Sequence, residues 1–174
     1  MIHAALMTGI PRTVESAFDE VVRQREKQVL GTAYRILGNW ADAEDVAQEV
    51  FVKLHRHGMD FANDAALGGW LYRVTTNLCF DRTRTAKPVS EVPEIVSEET
   101  SPEGAVLAAE RKQRLGRALL LLPERERAAV VLREIEGLDT SEVAEILGSS
   151  ETTVRSQVSR ALGRLREIME REPV

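Results

Sequence analysis

Apolar residues recur three and four positions apart along most of this chain, the spacing of one face of a helix. From Val14 to about Leu37 the pattern runs through Phe18, Val21, Val22, Val29, Leu30, Ala33, Tyr34 and Leu37. Gly38-Asn39 closes it, as Gly does after a helix C-terminus. A second amphipathic helix is predicted from Asp42 to about Arg56 and a third from Trp70 to Arg84. Between them, His57 to Gly69 reads as a loop rich in Gly, Asn and Asp. Later helices are predicted over Pro102–Leu121, Pro123–Glu136, Thr140–Leu147 and Glu151–Arg171, with Pro123 suited to a first helical position. No convincing strand pattern interrupts the series, so the expected class is all-α.

The periodicity fails once. The stretch AKPVSEVPEIVSEETSPEGA holds three prolines, several Ser/Thr and glutamates, and no aromatic residue. It reads as a flexible acidic linker, residues 86–102, between two small helical domains at 14–85 and 103–172. A second reading is an acidic strand that mimics nucleic acid inside a partner's basic channel.

Composition narrows the function classes. The chain has 174 residues, 43% hydrophobic and 29% charged, enough to bury a core. No window approaches the roughly 18 uninterrupted apolar residues of a membrane span, so no membrane insertion is expected. The short apolar run near the N-terminus lacks a preceding basic segment, against a signal peptide. Cys79 is the single cysteine, which leaves no internal disulfide and no thiolate zinc cluster. These features fit a cytoplasmic protein.

His55 and His57 with Cys79 supply too few convergent ligands for a metal, and Cys79 reads as a core thiol. Asp42, Glu44 and Asp45 are explained by the positive end of a helix. No nucleophile arrangement, phosphate loop or paired carboxylates stand out, so no catalytic residue, metal or cofactor is expected. The net charge of −5 is concentrated: residues 1–85 carry −1, residues 86–110 carry −5 and residues 111–174 carry +1.

The near-neutral flanks leave room for local basic faces, and one lies at the C-terminus. On a helical wheel Val154, Val158, Ala161, Leu162 and Leu165 form a packing face. Thr152, Ser156, Ser159 and Arg160 lie opposite, with Thr153 and Arg155 at the flanks. In the helix before it, Val143, Ala144 and Leu147 pack, Gly148 suits a turn at positive φ, and Ser150 suits an N-cap. This is a helix-turn-helix layout whose polar face suits phosphates and base edges. From Ser150 to Glu167 the net charge is +2. An ordinary packing hairpin has the same periodicity, and Ser149 stands where such hairpins usually carry an apolar residue.

Two faces in the N-terminal half also invite a partner. Val46, Ala47, Val50 and Leu54 form one stripe, while Phe51 and Val52 lie off it beside Asp45, Gln48 and His55. Apolar groups among carboxylate and amide on an outer face suit protein binding. Burial of this helix on two sides within its own domain is the other reading. In the Trp70 helix a narrow polar stripe runs through Arg73, Asn77, Asp81 and Arg84. Arg73, Arg82 and Arg84 suit phosphates and Asn77 a base edge, or the stripe is solvated and joined by bonds along one helix face.

The run LPERERAAVVLREIEGLDTSEVAEILGSSETTVRSQVSRALGRLRE closely resembles region 4 of bacterial sigma factors, especially the extracytoplasmic-function group. Its carrying residues are Leu122-Pro123, Leu132-Arg133-Glu134, Glu136-Gly137-Leu138, Ala144-Glu145-Leu147-Gly148, Thr153-Val154-Arg155-Ser156 and Arg160-Ala161. GNWADAEDVAQEVFVKLHRH resembles the polymerase-binding part of region 2, through Asp42-Ala43-Glu44-Asp45 and Gln48-Glu49-Val50-Phe51. WLYRVTTNLCFDRTR resembles the helix that reads and melts the −10 element, through Trp70-Leu71, Arg73, Asn77, Asp81 and Arg84.

The resemblance implies a factor that binds core RNA polymerase and directs promoter-specific initiation, with no chemistry of its own. It implies −35 contacts from Ser150, Thr152, Thr153, Arg155, Ser156, Gln157, Ser159 and Arg160. The −10 contacts would come from Phe61, Asn63, Arg73, Asn77, Asp81, Arg82 and Arg84. Asp42, Asp45, Gln48, Glu49, Phe51, Val52 and His55 would meet the clamp helices of the largest polymerase subunit. An anti-sigma factor is a further implied partner. Gln157 and His55 depart from the common residues at their positions, basic and aromatic respectively. A helix-turn-helix regulator without polymerase, and a sigma-like decoy for an anti-sigma factor, are the rival readings.

Overall fold

A computed structural model of the chain describes residues 12–85 and 104–171. The assigned linker, 86–102, lies outside the described residues. Among them the structure is helical: α1 (Arg12–Leu37), α2 (Trp40–His57), α3 (Asp64–Thr85), α4 (Gly104–Leu120), α5 (Glu124–Val130), a π-helical turn (Val131–Ile135), α6 (Thr140–Leu147) and α7 (Glu151–Arg171).

The first three helices form a bundle because each brings an apolar stripe to a shared axis. Val29, Ala33 and Ile36 of α1 meet Val46, Val50, Phe51 and Leu54 of α2 and Leu71, Leu78 and Cys79 of α3. Gly38 takes φ +84 after α1, and a Cβ there would sit 2.5 Å from the Leu120 methyls. Asn39 then caps α2, its Oδ1 accepting from the Asp42 amide at 2.8 Å.

Helix α3 starts earlier than the sequence pattern predicts. Six residues of the expected His57–Gly69 loop, from Asp64, are helical. The Asn63 side chain accepts from the Ala66 amide at 2.8 Å, an N-cap that opens the helix there. Burial of Leu67 then offsets the poor helix propensity of Gly68 and Gly69.

The second half packs α4, α5, α6 and α7 around Leu119, Leu122, Val131, Leu132, Val143, Val154 and Ala161. The expected single helix from Pro123 to Glu136 is instead α5 followed by the π turn, closed by the Glu136 amide on the Val131 carbonyl at 2.9 Å. Such turns are rare and often lie at functional sites. This one ends at Glu136, whose carboxylate bonds the first bundle. Oε1 accepts from Thr32 at 3.1 Å and Arg35 at 2.8 Å, and Oε2 accepts from the Tyr72 hydroxyl at 3.0 Å. Burial and this carboxylate push the Tyr72 phenol up to about 12.

The two halves therefore touch directly. Arg127 donates to the carbonyls of Ile36, Leu120 and Leu122, at the ends of α1 and α4. Thr83 donates to Glu124, and Arg73 donates to the Glu145 carbonyl at 3.2 Å.

A reciprocal capping box fixes the start of α6. The Glu142 amide donates to Asp139 Oδ1 at 2.9 Å, and the Asp139 amide donates to Glu142 Oε2 at 2.8 Å. Asp139→Ala is expected to lower the urea midpoint, because the α6 amides lose their side-chain cap. Urea denaturation of wild type and variant checks it, and an unchanged midpoint would sink the assigned role.

Candidate nucleic-acid interface

Helix α7 carries the most continuous polar face. Gly148 turns the chain at φ 59, ψ 43, and the Ser149 amide closes the turn on the Ala144 carbonyl at 3.0 Å. Ser150 caps α7, its Oγ accepting from the Thr153 amide at 3.1 Å. Val154, Ala161 and Leu165 are buried, which fixes the rotation of the helix. Thr152, Thr153, Arg155, Ser156, Ser159 and Arg160 are then exposed. Arg155 pairs with Glu151 at 2.5 Å, one turn earlier, so its guanidinium is held near the helix start.

Gln157 differs from its expected place. It is 8% exposed, facing inward with Val154 and Ala161, and its Oε1 has no hydrogen-bond partner. A residue in that position supports α7 from beneath and keeps its amide off the exposed polar face. Ser149, where an apolar residue was expected, likewise buries a hydroxyl without a partner.

Arg160 and Arg164, one turn apart, flank a carboxylate that the sequence pattern did not reveal. Glu126 of α5 lies 3.4 Å from Arg160 Nε and 3.2 Å from Arg164 Nε, and it is itself buried.

On the first bundle the polar stripe of α3 is exposed at Arg73, Asn77, Asp81 and Arg84. Asp81 and Arg84 pair with each other. Arg82 reaches across to α2, 3.7 Å from Asp42 and 3.4 Å from Asp45. The structure thus joins an arginine expected on DNA to two carboxylates expected on polymerase.

Phe61 enters an aromatic group, stacked on His57 with centroids 5.0 Å apart and edge-on to Trp70 at 5.9 Å. His57 and Trp70 were not expected in a site. Their signal was the clustering of three rings around a helix end and a short loop. Asn63, by contrast, spends its side-chain oxygen on capping α3.

These groups border a cavity of about 570 Å³ between the halves. Its walls include Phe61, Trp70, Tyr72 and Arg73 on one side and Leu138, Glu142, Glu145 and Ile146 on the other. A second, more apolar cavity of about 310 Å³ lies between α1 and α4, lined by Tyr34, Arg35, Trp40, Lys112, Leu115 and Ile135 among others.

The expected polymerase face on α2 is divided by the fold. Gln48 and Asp45 are exposed, while Asp42, Glu49, Val52 and His55 are half-buried. Glu49 pairs with Lys53 at 3.6 Å, and His55 packs edge-on against Phe18 at 5.2 Å. Phe51 is 0% exposed. It lies off the main stripe because α2 is buried on two sides, against α1 and α3, so the alternative of two-sided burial applies to this residue.

Cys79 is buried, and desolvation pushes its thiol up to about 12, which leaves it protonated and unreactive at neutral pH. Among the described residues no group of three or more His, Cys, Asp or Glu is arranged to hold a metal ion. No helix among them is long and apolar enough to cross a membrane.

Residues 21–88 match the Sigma-70 region 2 family and residues 112–165 match the Sigma-70 region 4 family. The chain is 38% identical over 159 residues to the ECF RNA polymerase sigma factor SigE of Mycolicibacterium smegmatis, an alignment covering 88% of this chain and 62% of that one. It is 31% identical over 166 residues to the ECF RNA polymerase sigma factor SigW of Bacillus subtilis, covering 88% and 89%. Two solved structures share the fold. The sigma factor RpoE of Bartonella quintana, in complex with the anti-sigma factor NepR, superposes with TM-score 0.70 at 20% identity, covering 91% of this chain and 99% of that one. CnrH, in complex with the cytosolic domain of CnrY, gives 0.68 at 24% identity, covering 91% of each.

Proposed function

From the premise that this chain belongs to the extracytoplasmic-function sigma factors of the sigma-70 family, we propose that it binds core RNA polymerase and directs initiation at promoters with a −35 and a −10 element. The observation that carries the reading is the outer face of α7. Its exposed Thr152, Thr153, Arg155, Ser156, Ser159 and Arg160 form one polar, basic surface on a helix whose inner face is locked by packing. A duplex major groove accepts such a helix, and its base edges accept such donors. Region 4, residues 103–172, is assigned the −35 element.

Region 2, residues 14–85, is assigned the −10 element and its melting. Arg73, Asn77 and Arg84 supply phosphate and base contacts from α3. The rings of Phe61, His57 and Trp70 supply stacking surface for an unpaired base, which offsets part of the unstacking cost. Arg73 must leave the Glu145 carbonyl, and α6 must move from α3, before DNA reaches that surface. The polymerase face is assigned to Asp42, Asp45, Gln48, Glu49, Val52 and His55, with Phe51 withdrawn from it.

The chain performs no chemistry in this reading. It supplies binding energy and position, and the polymerase forms the phosphodiester bonds. That work belongs in the cytoplasm. An anti-sigma factor is the second proposed partner, supported by a solved structure of the same fold that is described in complex with one.

Reconstituted transcription tests the proposal. The chain is added to core polymerase and a library of promoter fragments. Sequence-selective initiation is expected, and its absence with folded protein would overturn the reading. Replacing Arg155 and Arg160 together with Ala is expected to weaken −35-dependent initiation while core binding survives. Equal loss of both would remove these arginines from the DNA face.

A further inference from the structure

The carboxylate of Glu126 is the least expected charge in region 4. It sits in the first turn of the scaffold helix α5, 7% exposed, beneath the recognition helix. A buried carboxylate needs partners, because desolvation disfavours the charged form. Its partners here are two guanidinium groups from one face of α7, Arg160 Nε at 3.4 Å and Arg164 Nε at 3.2 Å. Oε2 is buried and makes no hydrogen bond, so charge attraction dominates that contact. Both arginine side chains remain more than half exposed, 59% and 54%.

We propose that Glu126 is a positioning residue for promoter reading, and that Arg164 joins Arg160 on the reading surface. The inference rests on the assignment of α7 to the −35 element. A guanidinium has five N–H donors in a rigid plane. Glu126 faces the Nε edge of each, which leaves the four donors on the terminal nitrogens for an acceptor outside the chain. An arginine held at Nε loses less side-chain freedom when its outer edge meets a guanine or a phosphate. The same carboxylate cancels one of the two positive charges. It thereby trims attraction to any DNA while preserving the two oriented forks, a combination that favours sequence discrimination over bulk affinity.

The test uses the reconstituted holoenzyme, chain plus core polymerase. The probe is a promoter fragment that wild type selects from a randomised library, compared with the same fragment carrying a scrambled −35 segment. Glu126→Gln keeps the shape and removes the charge. The ratio of affinities for the two fragments is expected to fall about tenfold, the loss of one well-placed arginine contact. Binding to the scrambled fragment is expected to hold or tighten, because the surface gains positive charge.

A merely structural carboxylate would weaken binding to both fragments alike, and that result overturns the proposal. An unchanged ratio overturns it too. Glu126→Asp keeps the charge on a shorter stem and is expected to retain an intermediate ratio, so it reports even where the Gln variant folds poorly. A double change, Arg160→Ala with Arg164→Ala, separates the two claims. If it leaves discrimination intact, the assignment of α7 to the −35 element fails. If it removes discrimination while Glu126→Gln does not, only the role of Glu126 fails.

Discussion

Phe51→Ala is expected to lower the unfolding free energy by about 3–5 kcal/mol, the range for deleting a buried phenyl group. The ring is 0% exposed and belongs to the core where α2 meets its neighbours in the first bundle. Truncation removes its transfer free energy and leaves a cavity that neighbours such as Val50 and Leu54 only partly refill. A loss of that size is a large share of the roughly 5–15 kcal/mol that holds an ordinary domain folded.

The functional consequence separates two roles. A core residue affects polymerase affinity through the fraction folded, so binding under conditions where the variant is folded stays close to wild type. Denaturant titration measures the first quantity and core-polymerase titration the second. A stable Phe51→Ala that binds polymerase poorly would return the ring to the interface.

Arg127→Ala is expected to cost about 1–3 kcal/mol, as leaving backbone acceptors without their donor does. Its guanidinium bonds three carbonyls that helices cannot satisfy internally, those of Ile36 near the end of α1 and of Leu120 and Leu122 at the end of α4. Burial lowers the pKa of Arg127 below the usual arginine range, yet it stays positive at neutral pH and these contacts persist. Because one acceptor belongs to region 2 and two to region 4, the variant loses both a cap and a tie between the halves. Region 4 is expected to loosen from region 2 as global stability falls. Urea denaturation reads the stability, and hydrogen exchange at the Gly38 amide, bonded to the Tyr34 carbonyl at 2.8 Å, reads fraying of α1. Arg127→Lys keeps one charge without the fork and is expected to recover only part of the loss. A cost below about 1 kcal/mol for the Ala variant, the size of one ordinary hydrogen bond, would sink this account.

Helical periodicity made most of the elements legible, because a stripe at 3.6-residue spacing has little alternative to a packed helix. The long α1 ends before Gly38 as the pattern implies, and α6 and α7 keep the predicted bounds Thr140–Leu147 and Glu151–Arg171. Errors fell where local signals compete. Gly68-Gly69 argued for a loop, yet Asn63 capping and Leu67 burial favour helix from Asp64. An unbroken pattern argued for one helix through Glu136, yet the chain widens into a π turn.

Gln157 was partly legible as well. It lies about 60° from Val154 on an ideal wheel, on the packing side. Its place in the family motif outweighed that angle, and the fold restores it: the residue is buried. Phe51 had no such signal, since its wheel angle marks it as outside the stripe and only a third helix on that side buries it.

By itself, the sequence determined an all-α chain, the helix-turn-helix with its cap and turn, and the polar faces of α3 and α7, because these depend on residues within a few turns of one another. Only the tertiary structure decided which of those faces are free. It sets Glu126 between Arg160 and Arg164, Glu136 among Thr32, Arg35 and Tyr72, and Arg82 beside Asp42 and Asp45. Each of these joins residues more than thirty positions apart, with no periodic trace in the chain. The partner of a charge is fixed by the packing of helices whose apolar stripes meet elsewhere, so it becomes readable only once that packing is known.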